Sequence, residues 1–161
     1  MAREYSIVMT SSTVAAAKTL IFLNAGTTRA IEILRFWVGQ SSTATSQQER
    51  VQVVTQVSAF PTLTSYTPRA LKLGDGASAI TGGTAGAAGT CGIAASAEGA
   101  GAKTVMWERP FNNLNGFEWV AAPYDSIILP PSGTSGLGIY MPDTPATTTE
   151  WAAGLIFREL G

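Results

Sequence analysis

The reactive groups of this chain are eleven carboxylates, ten basic side chains and one thiol, with no histidine among 161 residues. Losing histidine removes the commonest general base, the commonest metal ligand and the side chain that switches charge near neutral pH. Carboxylates catalyse in pairs when their environments hold one protonated and the other ionised. Here they are scattered, and no Asp-x-Asp cluster of the kind that holds calcium or magnesium occurs. Glu108 and Glu118 flank an Asn-rich turn and would face each other across a hairpin. Like charges directly opposite are unfavourable, so pairing with Arg109 or a register offset is the plainer expectation.

Three short motifs approach known chemistry and stop short of it. Gly99-Ala-Gly-Ala-Lys103-Thr104 has the flavour of a phosphate loop, but Ala102 precedes the lysine and no strand-then-helix pattern surrounds it. Gly133-Thr-Ser-Gly136 places Ser135 near glycines, yet a nucleophile elbow needs glycine at 137, which is leucine, and a histidine to take the proton. Cys91 sits between Thr90 and Gly92 with no cationic neighbour to lower its pKa, and a lone cysteine makes no intramolecular disulfide or thiolate cluster. No catalytic residue, metal ligand or cofactor is expected, and the chain reads as a structural or binding module, not an enzyme.

Charged residues make up only 13% of the chain and the net charge is −1, against about 25% charged in ordinary domains. The basic residues form no stripe, so nucleic acid and anionic membranes are not expected partners. The N-terminal stretch is charged early and broken by polar residues, which does not fit a signal peptide. No apolar run approaches the ~20 residues of a membrane helix. Synthesis and folding in a cytosol are expected.

The elements that must position these groups read as strands. Tyr5, Ile7 and Met9 alternate with Ser6, Val8 and Thr10. Leu20–Leu23 is a short apolar run. In Arg29–Val38 a strict alternation puts Ile31, Ile33, Arg35 and Trp37 on one face and Glu32, Leu34, Phe36 and Val38 on the other. A helix fits this segment too, but its β-branched and aromatic content favours a strand. Ser41–Gln48 is a polar loop. Val51, Val53, Thr55 and Val57 give the clearest period of two, and Pro61 and Pro68 bracket an extended connection. Later strands are expected at Thr104–Glu108, Phe117–Ala121, Ser126–Leu129, Leu137–Met141 and Trp151–Phe157, with turn residues at Asn112–Gly116. About eight or nine short strands in one domain spanning residues 1–161 point to an all-β fold, an antiparallel β-sandwich or barrel.

Gly74–Ala102 departs from this pattern, with nine glycines, ten alanines and only Ile80 and Ile93 as large aliphatics. It is expected to be a long Gly/Ala-rich loop or arm, with a short strand near Thr90–Ala95, whose Ile80, Gly82, Gly83 and Ile93 lie against a neighbour. Trp37, Trp107, Trp119 and Trp151 all fall in expected strands, where core packing is the plain reading. Trp107 and Trp119 are the candidates for an aromatic contact with a ligand or partner.

The order of features resembles a family of small phage virion proteins, the head decoration or cement proteins with a jelly-roll-type sandwich. The likeness is carried by Ile33-Leu-Arg-Phe-Trp-Val-Gly-Gln-Ser41, Tyr66-Thr-Pro-Arg-Ala-Leu-Lys-Leu-Gly-Asp-Gly76, Glu108-Arg-Pro-Phe-Asn112, Gly116-Phe-Glu-Trp119 and Ser126-Ile-Ile-Leu-Pro-Pro-Ser132. It runs from about Glu4 to Phe157, and Gly82–Gly101 is the stretch it does not match. The resemblance implies a homotrimer on a capsid surface, partnered by the major capsid protein, with no catalytic residues to carry over. The alternative is a carbohydrate- or receptor-binding jelly roll of the tail-fibre-head type.

Overall fold

The structure, a computed structural model, describes residues 3–42, 45–145 and 149–161. Met1 and Ala2, and residues 43–44 of the expected Ser41–Gln48 loop, lie outside the described residues. No helix is long and apolar enough to cross a membrane. The described residues form strands and turns, and the strands lie in two sheets packed face to face.

The strands are β1 (Arg3–Val14), β2 (Lys18–Asn24), β3 (Ala30–Gln40), β4 (Gln48–Gln56), β5 (Thr62–Ser65), β6 (Arg69–Ala70), β7 (Thr81–Gly82), β8 (Thr90–Ala97), β9 (Thr104–Asn112), β10 (Phe117–Val120), β11 (Ile127–Leu129), β12 (Gly136–Met141) and β13 (Thr149–Leu160). The first sheet runs β10-β3-β13-β1-β6, with β11 also on β3; the second runs β5-β8-β2-β12-β4-β9, with β7 also on β8. Pairing is antiparallel throughout apart from the two-residue β7–β8 contact. The strands beyond those expected are β5, β6 and β7, pieces of two to four residues. They are too short to show any periodicity.

Between the sheets, Tyr5, Ile7, Ile33, Phe36, Leu155 and Phe157 meet Ile21, Leu23, Val51, Val53, Leu137 and Ile139, all essentially inaccessible to solvent. Each such side chain contributes about 1.5–3 kcal/mol on burial. The strict alternation expected in β3 fails at Leu34. Residues 31 and 33 face inward, and so do residues 36 and 38. The ladder with β13 explains this: Ile156 pairs Arg35 and Phe157 pairs Ile33, so Leu34 is an extra residue that flips the faces. The same device works in β1, where the ladder steps from Met9–Ala153 to Ser12–Trp151 and the buried set moves from Tyr5, Ile7 and Met9 to Val14.

In β4 polarity alternates as expected, but burial does not, because Gln52, Val54 and Gln56 on the outer face are buried as well. The chain after β4 folds back over that face. Phe60 packs against Phe22 with ring centres 5.8 Å apart. The Gln56 amide donates to the carbonyls of Ser58 (3.1 Å) and Ala59 (2.7 Å). Gly101 N–H donates to Ala59 O at 3.1 Å, and a Cβ on Gly99 or Gly101 would overlap the backbone of residues 58–60.

The Gly/Ala-rich segment carries the strand expected near Thr90–Ala95, but it is packed onto its own sheet and is not an arm, which corrects that part of the expectation. It contributes β8, held between β2 on one side and β5 on the other. Ile80 and Cys91 join the core. Small residues are required here because the neighbouring strand lies so close: a Cβ on Gly92 would sit 2.7 Å from Leu63 Cβ and 2.8 Å from the Thr64 carbonyl oxygen. Gly92→Ala should lower the urea midpoint by an overpacking cost of about 1–3 kcal/mol. An unchanged midpoint would show that β8 does not lie against β5.

Candidate functional site

Each group singled out in the sequence has a definite place. Glu108 and Glu118 do not face each other, because the Asn112–Gly116 turn joins β9 of one sheet to β10 of the other and closes no hairpin. Glu108 accepts from Gln52 and pairs with Arg50 (3.5 Å), while Glu118 pairs with Arg35; Arg109 partners neither. The two carboxylates thus form no dyad.

Lys103 is bound to Glu98 (3.2 Å) and lies 4.8 Å from the Tyr140 ring centre. Glu98 also accepts from Thr19 N–H (2.5 Å) and Thr19 Oγ1 (2.6 Å), so the carboxylate clamps the end of β8 to β2. The lysine of the phosphate-loop-like stretch is part of this clamp. Ser135 lies in a turn where its own N–H and that of Thr134 donate to Ser132 Oγ. Lys18 does reach a serine, with Nζ 2.9 Å from Ser12 Oγ. The same ammonium donates to the Thr13 carbonyl at 2.8 Å, and burial holds its pKa below the usual lysine range, with Glu98 acting against that shift. A lysine that donates to the hydroxyl and to a carbonyl lashes the β1–β2 turn instead of deprotonating Ser12.

The tryptophans are anchors of the sandwich. Trp151 is fully buried. Trp107 meets Phe36 edge-on at 5.5 Å, and Trp119 stacks on the same ring at 5.4 Å. Both are partly buried against the core, and with Phe117 they close the space between the edge strands β9 and β10. The candidate aromatic contact is thus a junction between sheets. Trp37 lies on the outer face over Gly154, with the Arg35 guanidinium 5.7 Å from its ring. Among the proposed arm residues, Ile80 is buried, Gly82 pairs Cys91, Gly83 abuts Thr90, and Ile93 pairs both Ile21 and Thr64.

No group of three or more Cys, Asp or Glu side chains placed to hold a metal ion occurs among the described residues. A hollow of about 490 Å³ lies beside β5 between Phe60–Ser65 and Gly83–Ala85 and is lined by no charged side chain. Its polar groups are the hydroxyls of Thr62, Ser65 and Thr84. Elsewhere the charges neutralise one another on the outer faces. Arg158 spans Glu4 (2.8 Å) and Glu32 (3.3 Å) across β1, β13 and β3. Arg50 grips Asp143 through two bonds of 2.6 and 2.7 Å, which lowers the Asp143 pKa. Buried Glu159 accepts from Ser78, Ala79 N–H and Arg29.

No family model, curated protein or solved structure matches this chain. The functional reading rests on residue pattern and on the physics of the surface.

That surface includes features the sequence pattern did not single out. Six of the nine large apolar side chains exposed among the described residues, Val105, Met106, Leu114, Val120, Tyr124 and Ile128, lie on β9, β10 and β11 or the loops between them. Their exposure had no signal in the sequence, because Val105 and Ile128 sit in strand stretches that read as ordinary core.

Two buried groups give tests. Burial, then the nearby Asp143 charge, raises the Glu49 pKa. An acid whose folded pKa is raised costs stability as pH climbs from its unfolded to its folded pKa. Glu49→Gln should therefore stabilise the fold at pH 7 and become neutral below the ordinary carboxylate range, as read by denaturant melts at both pH values. Burial also pushes the Cys91 thiol up to about 12. Thiol reagents at pH 7–8 should label Cys91 only as fast as the domain opens, and rapid labelling of the native protein would contradict its burial.

Proposed function

We propose that this protein is a virion structural protein, a capsid decoration or cement protein that binds and stabilises the shell as an oligomer. Its place is the capsid surface, after synthesis in the host cytoplasm, and its partners are copies of itself, a homotrimer by the resemblance, and the major capsid protein. The carrying observation is the apolar side of β9, β10 and β11. Exposed apolar side chains concentrated on one set of strands point to an interaction site, where singly scattered ones do not. Here Val120 and Ile128 are 60% and 53% exposed and Tyr124 is fully exposed. We assign this side to the shell.

The strand order supports a jelly-roll reading. β1-β13-β3-β10 lies opposite β2-β12-β4-β9, and the chain alternates between the sheets from β1 to β4 and from β11 to β13, while β4, β8 and β9 share the second sheet. The sparse charge, 13% of the chain, supports close packing against neighbours, because few ionic groups would have to give up water there. In this reading the chain has no catalytic residue, needs no cofactor, and binds neither nucleic acid nor membrane. The carbohydrate-binding alternative is favoured by one feature, the uncharged hollow with its three hydroxyls beside Phe60.

Imaging of purified particles should locate the chain on the outer surface of the shell. A Met106→Glu/Val120→Glu double variant should fold normally and lose shell binding in co-sedimentation. Absence of the chain from particles, or a native protein that binds glycans on an array and no shell, overturns the reading.

A further inference from the structure

Strand edges carry rows of unpaired N–H and C=O groups, and natural sheets blunt them with charge, proline, bulges or short length. Most lateral edges of this sandwich are blunted. β9 carries Glu108, Arg109 and Pro110, β10 is four residues long and contains Glu118, and β11 ends at Pro130-Pro131. β5 is four residues long, between Pro61 and Pro68.

β1 differs. On the side away from β13, β6 pairs only with Tyr5 and Ser6, and Lys18 Nζ caps the Thr13 carbonyl. Between them Ile7-Val-Met-Thr-Ser-Ser12 has no strand partner on that side among the described residues. The window contains no charge, no proline and no glycine. Glu4 O accepts from Leu71 N–H on this side, so strand alternation turns the Val8 N–H and C=O the same way. Past the end of the window, Thr13, Ala15–Lys18 and Ala95–Glu98 line a shallow hollow of about 210 Å³. The one blunting device is the bulge at Thr10–Ser11, which increases twist without adding charge.

We propose that this edge pairs antiparallel with the same edge of a second copy, about a two-fold axis beside Met9 and Thr10. The window fits itself: a two-fold sets neutral residues against neutral residues and buries no unpaired charge, the isologous geometry of most dimers. A second copy also presents its strand already extended and rigid, so association orders no flexible segment. The pairing joins the first sheets of two copies into one, β3-β13-β1 continuing into the β1-β13-β3 of the partner. This inference does not rest on the virion reading.

Thr10 is exposed on β1, which makes it the place to test. Wild-type protein should sediment as an even number of copies, two where the edge pairing acts alone and six where it joins two trimers. At concentrations near the dissociation constant, Thr10→Lys and Thr10→Glu should each lower that mass toward half, weakening association by up to about five-fold through like charges placed opposite each other. Mixing the two variants should restore the wild-type mass, with circular dichroism unchanged throughout. Hydrogen exchange at the Val8 amide should slow with protein concentration in wild type and not in Thr10→Lys. A native monomer at every concentration, an odd number of copies, or an even-numbered oligomer indifferent to Thr10→Lys each overturns the proposal. A trimer that still binds shells would overturn it while leaving the virion reading intact.

Discussion

The interior of this sandwich depends on one extra residue in β3. Side chains on a strand alternate with a period of two, so Ile31 and Ile33 cannot share a face with Phe36 and Val38 unless the period is broken between them. The bulge at Leu34 breaks it. Phe36 then turns inward, where it meets Trp107, Phe117 and Trp119. The edge strand responds at the same place: Ala121 N–H donates to Leu34 O at 2.8 Å, and the chain pairing with β3 splits there into β10 and β11. A second bulge in β1 leaves β13, with its uninterrupted inward set, as the straight strand between two bent ones.

The second sheet is constrained differently. Six of the seven residues of β2 are fully buried, which requires cover on both faces. One face has the core; the other has the Phe60 loop and residues 98–101. Such cover must be thin, because backbone lies directly on backbone, and glycine and alanine are the residues that permit it. The composition that suggested an arm reaching outward is the signature of chain packed tightly onto its own sheet. Glu98 and Lys103 at the end of that segment fasten it through Thr19 and Tyr140.

Twelve of the 21 charged side chains are held in ion pairs, and Cys91 is buried. Two sides of the sandwich then differ in kind. The β9–β11 side offers side chains, bulky and apolar, suited to docking on a broad surface. The β1 side offers backbone, suited to strand pairing.

The fold class was legible in the sequence because period-two patterning and turn residues are local. Tyr5-Ile7-Met9, the turn at Asn112–Gly116 and the stops at Pro130 and Pro142 need no knowledge of distant partners. The plain reading of the lone thiol was equally local in origin, since no neighbour in sequence activates it. Several features were legible only in the folded chain. Glu108 and Glu118 belong to different sheets because the turn between them crosses the sandwich, and no sequence pattern distinguishes a crossing from a hairpin. Gly92 is a strand residue because Leu63, far off in sequence, lies against it. Trp107 and Trp119 are a junction because Phe36 was flipped between them. Residue types set what each strand is able to bury, while pairing across the two sheets, a matter of long-range geometry, decided which side chains remain for partners.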